Sequence, residues 1–435
     1  MKKFVSILVL VSIAVAFAQI KFGMDMRVRS ELQNLNSTDA DTQIYDKRTD
    51  LRFRPYVDYN INENLFVKAV FEIGDIQFGD THSTDASAQG GGIGTDGVNT
   101  ETKNLYLSIK PSNNHKITIG LLSYQDPHGF IFNADVAGIL WNGEFNKYSV
   151  DLGWFAPFDE NEVNEGIDTY SYGTTFFALG LDYKLNERIS FGLSNYLVFD
   201  RNVLDQPDPT ITVNEDEVSI FIAPRIVGDY GKIKFDAQFV VNNRYYDFDV
   251  VSGDAASFSP PHAPDKTGTG MSVKSTFEVD KKLTIRANFL YRGCQTMYEN
   301  FETFEQFYDT GLEIINQNPV GIDYKDPMDF ELFEQLGIAL PAVLVDYKVR
   351  DNIILTGGLG VFMFDQNYAK VADTMYMGSE FDIKAKVTLY DNLNIIPYFA
   401  LFVPDVGYSR VMDLTNPDHP EDLIMKLGTT LKYSF

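Results

Sequence analysis

The chain has 435 residues, with 36 Lys and Arg against 61 Asp and Glu, for a formal net charge of −25. So acidic a chain is a poor partner for nucleic acid or for anionic lipid headgroups. Its single cysteine, Cys294, excludes an internal disulfide, so an exported chain of this size must be held together by its topology.

At the N-terminus, Lys2 and Lys3 precede an apolar run from Phe4 to Phe17, and Ala16-Phe17-Ala18 is a small-x-small cleavage site. The pattern is that of a secretory signal peptide over residues 1–18, cleaved before Gln19. The run is short for a spanning helix. Beyond it no apolar stretch reaches about 18 residues, so no spanning helix is expected. No Cys follows the cleavage site, so a lipid anchor is not expected either.

From there on, period-two alternation recurs and helical periodicity is nearly absent. In "LRFRPYVDY", Leu51, Phe53, Val57 and Tyr59 alternate with Arg52, Arg54, Tyr56 and Asp58. In "KIKFDAQFVVNNR", Ile233, Phe235, Ala237, Phe239 and Val241 alternate with Lys234, Asp236, Gln238, Val240 and Asn242. "KLTIRANFLYR" and "EFDIKAKVTLY" repeat the pattern, with Arg286, Asn288, Lys384 and Lys386 on the polar face and Asp382 beside them. The expected strands, about 10–14 residues long, exceed the usual five or six of soluble sheets. Pro55, Pro224, Pro341 and Pro397 fall inside them, where each removes a ladder bond, so bulges or shifted strand ends are expected there.

The connections alternate short and long. Tight turns rich in Asn, Asp or Gly sit near Asn62, Asn113, Asn146, Asn186, Asp229, Asp280, Asp351 and Asp391. Between them lie polar loops at 35–46, 79–99, 126–134, 158–171, 201–216, 247–268, 293–335, 366–378 and 404–422. These connections separate about 18 strands, with 16 as the alternative count, and an even number leaves both termini on the short-turn side. A bilayer offers no water to unpaired backbone groups, so a sheet crossing it must close on itself. The fold class expected is therefore an all-β, antiparallel, up-and-down transmembrane barrel over residues 19–435 with short periplasmic turns and long outer loops.

The chain ends in "GTTLKYSF", where Leu431, Tyr433 and Phe435 share one face and Thr430, Lys432 and Ser434 the other. A terminal aromatic with apolar residues at alternate positions behind it resembles the assembly signature of bacterial outer-membrane β-barrels. The turn and strand pattern is similar to that of porins over nearly the whole mature chain. "RTDLRFRPYVDYNINENLFVKAVFEIGD" resembles the N-terminal hairpin of alginate-export and related porin-like barrels. "DPHGFIFNADVAGILW" is similar to a segment recurring in that group, and the porin of sheathed thermophilic Thermotogota is a further resemblance. The resemblance implies an outer-membrane location, contact with membrane lipid and surface glycolipid, recognition of the last strand by the barrel-assembly machinery, and a homotrimer as one possible assembly.

Energy assigns the faces. An Arg or Lys on the lipid face costs about 2–4 kcal/mol at the midplane. Arg27 and Arg29 on the first strand and Arg52 and Arg54 on the second must therefore point inward, with Arg48 and Lys68 close by. Asp25, Asp50, Asp58 and Glu72 are interleaved with them and can pair with them. The lumen-facing set is completed by Arg286, Lys384, Lys386, Asp236 and Asp382. The bland reading is an ordinary charged, water-filled wall; the sharper one is a transverse field that orients polar solutes. Aromatic girdles are expected at Tyr59, Tyr183, Tyr347 and Tyr390 near the turns, and at Trp154, Phe155, Phe199, Tyr245 and Phe248 near the other rim.

The longest loop, 293–335, is the expected constriction. Phe301, Phe304 and Tyr308 recur at helical spacing beside Glu305 and Asp309, and Leu312 and Ile315 continue the series. The next strand, "QLGIALPAVLVDY", is apolar on both faces, so one apolar face must point into the lumen. The strand after it carries Gly357, Gly358 and Gly360, where another backbone can approach closely. A cap at the rim, or a contact with another subunit, is the alternative for this loop. Loop 158–171 and stretch 299–334 are strongly acidic, which suits a cation-enriching mouth as well as plain solvation.

Enzyme chemistry is not expected. The five His residues have no metal-ligand spacing, and no nucleophile elbow, zincin or P-loop motif occurs. No metal or cofactor is implied. A wall of about 18 strands at 4.8 Å spacing and 40° tilt is roughly 110 Å around, too wide for side chains to fill. Passive diffusion of small hydrophilic solutes and ions is the function this predicts. A structural or adhesive surface protein and a sugar-specific channel are the alternatives.

Overall fold

The computed structural model describes residues 20–35, 44–78, 100–158, 174–204, 212–252, 265–293, 310–314, 337–364, 376–405 and 423–435. Residues 1–18, where a signal peptide is expected, and most of the long loops lie outside these residues. Eighteen strands form one antiparallel sheet: β1 Ile20–Leu35, β2 Ile44–Asn62, β3 Leu65–Gln77, β4 Thr100–Ser112, β5 His115–Gln125, β6 Asn133–Phe145, β7 Tyr148–Phe158, β8 Thr174–Lys184, β9 Ile189–Leu204, β10 Thr212–Asp229, β11 Ile233–Ser252, β12 Asp265–Glu278, β13 Leu283–Arg292, β14 Ile338–Arg350, β15 Ile353–Phe364, β16 Tyr376–Leu389, β17 Leu393–Pro404 and β18 Ile424–Ser434. Each strand pairs with its neighbour in sequence. β18 then pairs with β1 from Asp25↔Ser434 to Gln33↔Lys426, so the sheet is a closed barrel with no free edge.

Alternation decides which face is which. On β14, Ile338, Leu340, Ala342 and Leu344 are 0–3% exposed, whereas Val343 and Val345 are 44% and 39% exposed. The exposed set points outward and the buried set inward, and the same parity carries around the ring through the registers. Leu431 and Tyr433 fall on the outward set, and the Tyr433 and Phe435 rings lie 6.1 Å apart.

All eight tight turns lie at one end of the barrel, where their local chemistry holds them. Asn146 adopts φ 53° in the two-residue link between β6 and β7. In the β12–β13 turn, Asp280 accepts N–H bonds from Lys282 at 2.7 Å and Leu283 at 2.9 Å. Those two donors hold its carboxyl below the usual carboxylate range. The contribution to folding is present above the unfolded pKa and is lost as pH falls through the lowered one.

Two expectations about the strands need correction. Strand lengths reach 16 residues in β1 and β9, 18 in β10, 19 in β2 and 20 in β11, so two separate parts of the wall, β1–β2 and β9–β11, have strands longer than the 10–14 residues expected. Pro224, Pro341 and Pro397 lie inside strands with no register shift beside them, whereas near Pro55 the β2–β3 register slips by one residue between Leu51 and Phe53, as expected of a bulge. Each skips a short stretch of one ladder, as between Ile222↔Val241 and Arg225↔Gln238 at Pro224, and the same register resumes beyond it. All four point outward, and each keeps its pairing on the other edge, Pro55 with Met24, Pro224 with Leu193, Pro341 with Phe289 and Pro397 with Thr429, which holds the register across the missing N–H. Of the expected girdle, Tyr347, Tyr390, Trp154, Phe199 and Tyr245 are exposed, but Phe155 is fully buried and faces inward.

Candidate permeation pathway

The β1–β2 register sets Arg27 against Arg52, Arg29 against Asp50, Glu31 against Arg48 and Asp25 against Arg54. These side chains form a dense network on the inner wall. Arg27 and Arg29 donate to the two oxygens of Asp50 at 3.0 and 2.8 Å. Arg48 donates twice to Glu31 at 3.1 and 2.9 Å. Arg54 bonds Glu72, and Lys68 lies 3.5 Å from Asp58. Arg27, Arg29, Glu31, Arg48 and Asp50 are all less than a tenth exposed, and charges so desolvated persist only when paired. Across the closure seam, Tyr398 donates to Glu31, and Lys426 lies 3.6 Å from it.

A five-residue piece of the longest loop, 310–314, lies on the inner wall. Leu312 is 2% exposed and packs over Gly358 and Gly360; a Cβ at Gly358 would stand 2.9 Å from its side chain. Gly311, at φ 85°, sits against Leu344. Polar groups of β13, β16 and β18 hold the backbone. Asn288 donates to Thr310 O at 2.9 Å, and Lys384 to Gly311 O at 2.8 Å and to the Glu313 carboxylate at 2.9 Å. The N–H of Glu313 bonds both Glu380 and Asp382 at 2.9 Å, and that of Ile314 bonds Glu380 at 2.7 Å. Lys426 donates to Glu313 O at 3.2 Å. Gly311 thus lies on the apolar inner face of β14 at Leu344, and Leu312 and Ile314 belong to the same buried apolar cluster as Ile338, Leu340 and Ala342. Phe301, Phe304, Glu305, Tyr308 and Asp309 lie outside the described residues.

A second segment, 126–132, also turns into the barrel. Asp126 accepts backbone N–H bonds from His128, Ile131 and Phe132 at 3.2, 2.7 and 3.0 Å, which folds the segment into a compact turn. Phe130, Ile131 and Phe132 are fully buried. They join inward aromatics of the wall: Phe132 lies 4.9 Å from Phe176, Tyr124 4.5 Å from Phe155, and Tyr196 stacks on Phe176 at 5.3 Å. His128 reaches β11 and β12. Its Nδ1 is 2.5 Å from Ser272 Oγ, and its Nε2 lies 2.8 Å from Asp236, within ion-pair range but not aligned as a straight hydrogen bond. Arg225 grips the same Asp236 with two bonds of 2.7 and 2.5 Å.

Below segment 310–314 a cavity of about 570 Å³ opens toward the short-turn end. Ten of its lining residues are Lys or Arg and three are Asp or Glu, in a chain whose net charge is −25. Lys386 and Lys432 lie on either side of β17, Lys432 two residues nearer the short-turn end, while Lys281, Lys282 and Lys348 form the lip. Arg286 is held by Asp346 at 2.7 and 2.9 Å.

The structure therefore gathers Arg27, Arg29, Arg286, Lys384 and Lys386 around one cavity. Arg48, Arg52, Arg54, Lys68, Asp50, Asp58 and Glu72 stand on the adjoining wall of β2 and β3, and Asp25 lies exposed near the short-turn end of β1. Asp382, 3% exposed, is covered by segment 310–314, and Asp236 belongs to the His128 bridge on another part of the wall. Lys281, Lys282, Lys348, Lys426, Lys432 and the whole 126–132 segment are additions that sequence reasoning missed. Lys426 and Lys432 carried a signal, since they alternate with the oily face of the last strand. The run Phe130-Ile131-Phe132 carried another, being fully apolar where a solvated loop was expected. Among the described residues, no group of three or more His, Cys, Asp or Glu side chains is arranged to hold a metal ion.

No protein-family model matches the chain, and no curated protein sequence matches it. Its backbone is similar to OccK9 (OpdG) of Pseudomonas aeruginosa, with a TM-score of 0.56 at 11% identity over 97% of this chain and 99% of that one. OccK3 (OpdO) of the same organism gives 0.53 at 10% identity over 95% and 96% of the two chains. OccAB1 of Acinetobacter baumannii gives 0.51 at 11% identity, also over 95% and 96%. At these identities the likeness is one of fold.

Proposed function

We propose that the protein is an outer-membrane porin: a water-filled, non-enzymatic channel for passive diffusion of small hydrophilic solutes, with anions favoured in its inner half. The observation that carries this reading is the basic cavity. A closed barrel of 18 strands is wider than its own side chains can fill. One inner wall near the short-turn end concentrates Lys and Arg although the chain as a whole is acidic. Lys386 and Lys281 have no carboxylate partner among the described residues, so their charge is available to a passing solute.

The outer-face pattern and the terminal aromatic support export to the outer membrane through signal peptide 1–18 and assembly through the last strand. Segments 126–132 and 310–314, both packed inside the barrel, support a narrowed passage rather than an open tube. The N-terminal hairpin's likeness to alginate-export barrels supports the porin reading without naming a solute. A sugar-specific channel is less well supported, because Phe155, Phe176 and Tyr196 are spent in packing and are 0–2% exposed.

The test is osmotic swelling of liposomes containing the purified barrel, with size-matched solutes of opposite charge. The reading predicts swelling with both and faster entry of the anionic solute. An absence of swelling with either solute contradicts it and favours the structural or adhesive alternative.

A further inference from the structure

Asn195 lies near the middle of β9 and points out of the barrel. Its ladder partners are Leu179 on β8 and Ile222 on β10, and Ile222 is 42% exposed on the outer face. Leu193 and Leu197 flank it on that face. Among the described residues nothing hydrogen-bonds its carboxamide. Two other outward polar groups are satisfied within the wall: Thr49 donates to Ser30 at 3.0 Å, and Ser275 to Ala287 O at 3.2 Å. Hydrocarbon supplies neither donor nor acceptor, so an amide at this depth stays unpaired against lipid.

The surroundings differ from the rest of the outer face. Ile139, Trp141, Leu152, Trp154 and Phe177 line an open groove of about 750 Å³ that reaches Asn195. Both tryptophans of the chain are in it. β7 and β8 are short, with 11 residues each, and stand beside the 16 and 18 residues of β9 and β10. Eleven residues at about 3.3 Å each, tilted about 40°, rise roughly 28 Å, which only just spans a hydrocarbon core.

We infer that the outer face of β6–β10 is a self-association surface, and that a second copy of this chain docks there with Asn195 close to the symmetry axis. A carboxamide is both donor and acceptor, so the same group on a symmetry-related copy completes it, which no acyl chain can do. Polar side chains hold membrane segments together in this way where the alternative is an unpaired group in lipid. The inference rests on the outer face lying in a membrane and not on what the pore conducts.

The test is oxidative cross-linking in native outer membranes. Asn195→Cys combined with Cys294→Ser leaves a single thiol at the proposed axis, and Ile383→Cys in the same background places one on the β16 outer face, where the native side chain is 67% exposed. The expected result is a reductant-sensitive dimer band for the first variant and none for the second. Asn195→Leu, checked for an intact barrel by its heat-sensitive gel mobility, is expected to shift the mass in mild detergent from oligomer to monomer. Absence of the cross-link, equal cross-linking at both positions, or an unchanged oligomer in Asn195→Leu would each overturn the inference.

Discussion

Met24 and Phe435 exchange two backbone hydrogen bonds, each 3.1 Å, so the last residue of the chain is also the last rung of the closing ladder. Tyr56 adds a bond to the Phe435 carbonyl at 3.2 Å. Deleting Phe435 removes both rungs, worth about 0.5–1.5 kcal/mol each, and leaves Met24 unpaired at the lip. The deletion is expected to lower the urea midpoint and the yield of compact barrel. Phe435→Ala keeps both rungs, so it should keep the midpoint while reducing assembly in cells. Equal urea midpoints for the deletion and the wild type would contradict the role of the rung.

Segment 310–314 hangs on carboxylates of β16. Glu380→Ala removes the acceptor for the Glu313 and Ile314 N–H groups, and Lys384→Ala removes the donor to Gly311 O and Glu313. Either change is expected to loosen the segment and raise single-channel conductance with added noise. Leu312→Ala, which opens a cavity costing about 2–5 kcal/mol at a core site, should act in the same direction. A quiet, unchanged conductance in all three variants would mean that this segment does not narrow the pore.

The 126–132 turn depends on Asp126 and on the reach of His128. Asp126→Ala strands three buried N–H groups, at about 1–3 kcal/mol each, and should destabilise more than His128→Ala. His128→Ala is expected to release the turn from β11 and β12 and leave the barrel intact. Amide hydrogen exchange at Gly129, Ile131 and Phe132 reads the difference: fast in Asp126→Ala, intermediate in His128→Ala, slow in the wild type.

Charge in the basic cavity is the third lever. Lys386→Glu with Lys432→Glu reverses two lining charges without touching the ladders. The reversal potential in a salt gradient is expected to move toward cation preference. The shift should shrink near 1 M salt, where the Debye length is about 3 Å. A shift toward anions would contradict the placement of these side chains.

The barrel was legible because membranes punish the wrong parity so heavily. Arg27, Arg29, Arg52 and Arg54 could point only one way, and each tight turn announced itself by Asn, Asp or Gly. The long loop's apolar landing strip was legible for the same reason, since Ile338, Leu340 and Leu344 needed something to cover them. The 126–132 turn was not, because a short polar-looking loop gives no sign of which way it folds, and only its three consecutive apolar residues departed from the pattern. The basic cavity was half visible. Its residues come from β1, β13 to β18 and the turn at Lys281-Lys282, and only the registers bring these stretches to one place. The long strands of β1–β2 and β9–β11, and the unshifted registers at Pro224, Pro341 and Pro397, depended on ladder geometry that alternation does not encode.

The most direct test of the central claim is the single-channel current of the purified barrel in a planar bilayer under a salt gradient. A water-filled pore with a basic inner cavity predicts discrete, ohmic steps and a reversal potential on the anion side. A membrane that stays electrically silent, with the barrel demonstrably inserted, would contradict it.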